Sequence, residues 1–315
     1  MKLEAQKKYL LLVLSGVIIF STFEVVTKTM KGLLSGTTLT FYRFLIGGLV
    51  LLPFGIKDAK KQKSKLNTKE KGILVVLSFI LVAICMTLSQ YGIFFADASI
   101  SALLFSVNPL FVTFFSMIIL KEELTLQKIS GLILGILGLI VTCLPLLLKS
   151  MVDGKYILGV VLVLVSMLLF CIYTVFNKKF IVPKTGAIAS TAYTSVIGSL
   201  TMIPILLIQM AVNDVNPFRF QVMEILPQFI YCSVIGTGLA YLLYFMGLAK
   251  VETGTGSMIF MIKPPLAAIF AAVFLGEQIT LNVVIGIILI LSGMLVTVKW
   301  QPQKKQIFYQ RHGEV

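Results

Sequence analysis

Ten stretches of about 20 mostly apolar residues follow one another along this 315-residue chain, and no other feature limits its folding as strongly. A helix rises 1.5 Å per residue, so about 20 such residues match the ~30 Å hydrocarbon core of a bilayer. The windows are 9–27, 34–54, 72–95, 98–119, 127–148, 156–177, 187–210, 226–247, 254–275 and 279–299. In hydrocarbon every backbone N–H and C=O must find its partner within the protein, which for runs of this length means α-helix. The expectation is an all-α polytopic membrane protein with ten transmembrane helices. Connections are short; the longest polar stretch, Lys57 to Lys71, is lysine-rich and too polar to cross. With 13% charged residues the chain lies far below the ~25% of soluble domains, which excludes a soluble enzyme, a disordered chain and a fibrous one. The run from Tyr9 to Val26 lacks a small-residue cleavage site, so it is expected to stay as a span rather than leave as a signal peptide.

The net charge is +14, which in a soluble protein would suggest nucleic acid as a partner. Its distribution points elsewhere. With the N-terminus inside, 20 Lys and Arg fall on the inner side and 5 on the outer, while Arg43 and Lys263 stay within spans. Such a bias over short loops sets orientation in a membrane. Both termini are therefore expected in the cytoplasm, with the protein in the plasma (inner) membrane. After the acids are included the inner face carries +13 and the outer face 0. The excess faces the anionic inner leaflet, and no nucleic-acid partner is expected.

The chain also repeats. Residues 98–142 slide by 155 positions onto 253–297 without a gap, giving 13 identities in 45 positions. Phe105 meets Phe260, Pro109 meets Pro264, Glu122 meets Glu277, and Gly131 and Gly138 meet Gly286 and Gly293. The copies lie five spans apart. An odd number means that the halves enter the membrane with opposite topology, an inverted repeat of the kind many secondary transporters use.

Three pieces of the first half carry a resemblance: S-Q-Y-G-I-F-F-A-D-A-S-I-S-A-L-L-F-S-V-N-P (Ser89 to Pro109), K-E-E-L-T (Lys121 to Thr125) and G-L-I-L-G-I-L-G (Gly131 to Gly138). The second half has Y-F-M-G-L-A-K-V-E-T-G-T-G-S (Tyr244 to Ser257), K-P-P (Lys263 to Pro265), G-E-Q-I-T (Gly276 to Thr280) and G-I-I-L-I-L-S-G (Gly286 to Gly293). Over about residues 10 to 300 the chain resembles the EamA-type branch of the drug/metabolite transporter superfamily. The resemblance implies two inverted five-helix repeats, 1–150 and 151–300, followed by a polar cytoplasmic tail, 301–315. It also implies a central cavity and transport without ATP, of amino acids, other metabolites or drugs, often outward.

Ionisable groups within spans cost roughly 2.5–3.5 kcal/mol on insertion scales and are functional candidates by default. Lys263 is the strongest. It sits near the middle of the ninth window, and Pro264 and Pro265 after it disfavour regular helix there. The repeat sets Asn108, also before a proline, at the matching depth of the fourth window, so a cation and an amide are expected across the pseudo-two-fold axis, where a carboxylate or phosphate would satisfy both. The plainer reading has Lys263 bonding carbonyls loosened by the prolines. Arg43 lines the cavity or braces the bundle through carbonyls. Glu24 and Lys28 are four apart, which suits an interfacial ion pair; the sharper reading makes Glu24 a proton carrier in transport. Gln90, Ser101, Tyr241, Tyr244 and Ser257 are candidate cavity contacts or interhelical hydrogen bonders. Glu122 and Glu277 are expected to complement the dipoles of the fifth and tenth helices. Gly131, Gly135, Gly138, Gly286 and Gly293 mark close helix packing or a dimer face.

Cys85, Cys143, Cys171 and Cys232 read as small buried hydrophobes, and His312 lies in the tail, so no metal or disulfide framework is expected. No ATPase, zinc-protease or hydrolase motif is present, and no cofactor is expected. The expected function is secondary transport, outward, of a small solute such as an amino acid or related carboxylate, by alternating access, as a monomer or homodimer, with proton or ion coupling. The rival reading is a broad-specificity exporter of lipophilic compounds with an adaptable Phe and Met wall. A receptor or membrane enzyme would need a ligand domain or catalytic constellation.

Overall fold

The computed structural model describes residues 2–62, 65–120, 126–148, 154–213, 222–248 and 262–299. Among these residues the chain is helical and contains no strand. The helices are α1 (Lys2–Lys28), α2 (Gly36–Ala59), α3 (Thr68–Phe95), α4 (Ala98–Ile119), α5 (Leu126–Leu148), α6 (Gly154–Phe180), α7 (Ala187–Asn213), α8 (222–248), α9 (Lys263–Leu275) and α10 (Leu281–Lys299). Among the described residues seven helical stretches are long and apolar enough to cross a membrane, and shorter apolar helices lie at Ile129–Thr142, Lys263–Leu275 and Leu281–Val296.

Helix ends follow local chemistry. Ser35 caps α2 by accepting from the Thr38 N–H, and Asn67 and Glu70 form a reciprocal capping box at the start of α3. α4 is interrupted: one helical segment ends at Ser106, Val107 flattens to ψ −8°, and a second begins at Asn108 with Pro109 in its first turn. The described part of α9 begins in the same way, at Lys263 with proline in its first turn. It ends at Gly276, whose φ of +68° suits glycine.

Polarity is inverted relative to a soluble protein. Leu11, Ile133, Ile208, Val273 and Ile288 are exposed, while Glu24, Arg43, Gln90 and Lys263 are buried. An exterior this apolar belongs in lipid; the protein is an integral, multi-pass membrane protein. The helix pairings have a regularity. α1 packs on α8 and α9, as α6 packs on α3 and α4. α2 packs on α8, as α7 packs on α3. Exchanging the first five helices for the last five reproduces the pattern. Both α3 and α8 also widen into π-helical turns, at Phe79–Met86 and Tyr231–Leu239, and in each a threonine hydroxyl, Thr87 or Thr237, donates to the carbonyl five residues back.

The small-residue stripes of α5 and α10 meet each other within the chain. A Cβ on Gly138 would lie 2.7 Å from the Ile290 side chain and 3.0 Å from the Gly286 carbonyl oxygen. Gly138→Leu is therefore expected to destabilise the protein by about 1–3 kcal/mol through overpacking, read as a lower Tm in detergent. Gly72→Ala, where an added Cβ meets nothing within 4 Å, should leave Tm unchanged or raise it.

Candidate functional site

The three charged residues expected within the spans converge. Lys263 Nζ stands 2.9 Å from Glu24 Oε1, and both side chains are more than nine-tenths buried. The proline-led start of α9 thus presents its cation to α1, one turn beyond the point where Phe20 of α1 packs on Tyr241 of α8. Lys263 also faces the Phe105 ring, at 5.8 Å from Nζ to centroid. Its partner is a carboxylate rather than the loosened carbonyls of the plainer expectation.

Arg43 is 6% exposed and lies between two rings, 4.4 Å from the Phe23 centroid and 4.5 Å from that of Phe44. Stacking of this kind holds a desolvated guanidinium by about 2 kcal/mol while leaving its edge donors free. Its Nε has no hydrogen-bond partner, so it does not brace the bundle through that atom as one reading expected. Phe23 precedes Glu24 on α1, so the same turn of helix supplies both the carboxylate at Lys263 and a ring on Arg43.

Several other buried polar atoms also lack partners: Glu24 Oε2, both amide atoms of Gln90, Ser101 Oγ and Ser233 Oγ. A buried polar atom without a hydrogen bond costs about 1–3 kcal/mol. Each such atom has a bond that a ligand or water can complete. Gln90 and Ser101 were both expected from the sequence. Ser233 was not; it lies in the π-helical stretch of α8, a backbone irregularity invisible in apolar periodicity. Tyr241 and Tyr244 form an aromatic group with Phe20 and Phe245 beside α1. Ser257 lies outside the described residues.

Three sequence expectations change. The Asn108 amide donates to the Phe105 carbonyl at 2.9 Å, closing the break in α4 instead of pairing across the axis with Lys263. Lys28 does not pair with Glu24; it pairs with Asp97 at 3.7 Å and Glu277 at 3.5 Å and donates to the Ala96 carbonyl. Glu277 does not serve α10. Its carboxylate accepts from the Ala98 N–H (2.7 Å), the Ser99 N–H (3.0 Å) and the Ser99 hydroxyl (2.6 Å), capping α4 in the other half. Asp97, the N-cap residue by position, makes no capping bond of its own and accepts from the Tyr156 hydroxyl instead. Glu122, the repeat equivalent of Glu277, lies outside the described residues.

Residues 7–144 and 157–299 each match the model of the EamA-like transporter family. A Clostridium kluyveri protein described as an uncharacterized transporter is 29% identical over 293 residues, covering 92% of this chain and 93% of that protein. The uncharacterized transporters YetK and YoaV of Bacillus subtilis are 27% and 26% identical; they cover 82% and 81% of this chain, and 78% and 84% of their own lengths are matched. A solved protein crystal structure superposes with a TM-score of 0.62 at 17% identity over 98% of this chain and 99% of its own, a likeness of fold.

Removing one member of a buried ion pair leaves an uncompensated charge, at a cost of about 3–5 kcal/mol. Lys263→Met and Glu24→Leu are each expected to lower Tm sharply in detergent. The double variant Glu24→Leu/Lys263→Met should recover most of the loss, because two apolar side chains replace two charges.

Proposed function

The chain belongs to the EamA-like transporter family, within the drug/metabolite transporter superfamily, and on that premise we propose that it exports a small carboxylate-bearing metabolite such as an amino acid, by alternating access. The observation that carries this reading is the buried group of Glu24, Lys263 and Arg43, which holds one more positive than negative charge. An entering carboxylate neutralises that excess. Arg43 offers donors from a stacked, pre-set plane, the geometry that suits a carboxylate. Gln90, Ser101 and Ser233 offer hydrogen bonds that no protein group takes. The amine of an amino acid would find Glu24 Oε2 in the same way.

Coupling follows from the ion pair. A substrate carboxylate that draws Lys263 away leaves Glu24 charged and buried, and a buried carboxylate without a cation takes up a proton. The substrate carboxylate and Glu24 therefore compete for Lys263, and substrate binding is linked to proton uptake, which makes Glu24 the coupling residue.

Two findings support a ten-helix arrangement of inverted five-helix repeats, with halves 1–150 and 151–300. The family matches twice, once in each half, and the helix pairings survive exchange of the halves. In this reading the site lies at the interface of the repeats. The lysine-rich side faces the cytoplasm of the plasma membrane with both termini.

The test is a thermal-shift panel on the purified protein. A substrate at 100 times its Kd stabilises by about 2.7 kcal/mol, so carboxylate solutes are expected to raise Tm where their amides and esters do not. In proteoliposomes, Lys263→Gln should abolish exchange of that solute, and Glu24→Gln should flatten its pH dependence. Stabilisation by unrelated apolar cations instead would favour a broad-specificity exporter.

A further inference from the structure

The rim of the bundle where α1 ends is tied together by one cluster. Glu277, between α9 and α10, grips the first turn of α4 with both carboxylate oxygens. Lys28 at the end of α1 pairs with Glu277 and Asp97 and reaches the Ala96 carbonyl, and Tyr156 of α6 donates to Asp97. Elements of both halves thus meet through charge-assisted bonds. At the opposite rim Lys184, which follows α6 as Lys28 ends α1, pairs with Glu70 at the start of α3, and Asp58 accepts from the Ile188 N–H. Beside them Lys179, in the last turn of α6, donates to the Ile119 carbonyl at the end of α4 at 3.4 Å.

The cluster also connects to the site. The segment Ala98–Ser106 is a short rigid helix, capped by Glu277 at one end and interrupted at Val107 at the other. It carries Ser101 with its unpartnered hydroxyl, and Phe105 against Lys263. Movement of its capped end turns both residues about the break. The bonds that hold the cap are within reach of water, with the side chains 11% exposed at Glu277, 20% at Lys28 and 46% at Asp97. Water can replace them.

We propose that the Glu277–Lys28 cluster is a latch, shut in this structure, which parts when the Glu24–Lys263 site opens toward that rim. The proposal rests on the alternating-access reading above. Its test uses the full-length protein in oriented vesicles, with the four native cysteines replaced and Ser101→Cys as a probe for a membrane-impermeant maleimide. Glu277→Gln and Lys28→Gln each weaken the closed state. Labelling from the Lys28 rim is expected to accelerate about tenfold, the scale of one lost charged hydrogen bond, and labelling from the opposite rim to slow. Glu277→Asp should restore part of the closure. Should either charge variant fail to fold, Ser99→Ala removes a single latch bond and is expected to accelerate labelling severalfold. Rates equal to the parent's in folded variants, with only Tm lowered, would overturn the latch and leave a structural cap. Accelerated labelling in the charge variants, with no solute exchange by the unsubstituted protein, would keep the latch and overturn the transport reading.

Discussion

Charge in a place with little water is the constraint around which the interior is arranged. Lys263 and Glu24 sit 2.9 Å apart at depth, and neither is tolerable there without the other. Because one belongs to α9 and the other to α1, their pairing fixes how the first helix meets the ninth. The lysine reaches that place from the first described turn of α9, where proline directly follows it. The glutamate is flanked by Phe23, whose ring covers Arg43. One turn of α1 therefore manages both buried cations by different means, one by a carboxylate and one by aromatic faces.

That economy leaves a residue of unmet bonding. The aromatic stack stabilises the arginine without using its donors, and the ion pair uses one oxygen of Glu24 and leaves the other without a partner. With Gln90, Ser101 and Ser233, polar groups on α1, α2, α3, α4 and α8 keep capacity that a finished core would have satisfied. A stability-optimised membrane bundle would place leucine or alanine at these positions. Their persistence in a bundle whose other buried hydroxyls mostly bond to backbone, such as Ser21, Ser78 and Ser199, separates the site from the scaffold.

Much of this was legible in the sequence because a membrane reduces the alternatives. Apolar windows predict helices where no other backbone can be satisfied, and the repeat pointed to Asn108, before a proline, as the counterpart of Lys263; α4 breaks there. Lys263, Glu24 and Arg43 stood out as charges where charge is costly. Their pairing did not. Sequence spacing favours neighbours on one helix, so Glu24 was matched to Lys28, four residues away, whereas the real partner lies 239 residues further along. The same bias assigned Glu277 to the helix that follows it. Tertiary packing overrides the local choice, because Gly276 turns the chain at a left-handed φ and returns the carboxylate toward α4. The π-helical turns of α3 and α8 left no trace in hydropathy, since an extra residue in one turn alters backbone bonding and not composition.

The prolines connect these two scales. A continuous α4 would carry the free N–H groups of its first turn and the packing face of Phe105 on one rigid rod, so any shift at the rim would have to move the whole span through lipid. The interruption at Val107–Asn108 shortens the moving part to a segment of nine residues, Ala98–Ser106. Asn108 makes that interruption tolerable by donating its amide to the Phe105 carbonyl, a backbone acceptor the break would otherwise leave unmet. The matching proline in α9 lies directly after Lys263. The break in α4 and the start of the described part of α9 thus bring the end of a short lever, Phe105, against the lysine of the buried ion pair. A rearrangement at the rim reaches the charges over the length of two helical turns, without asking a full span to bend.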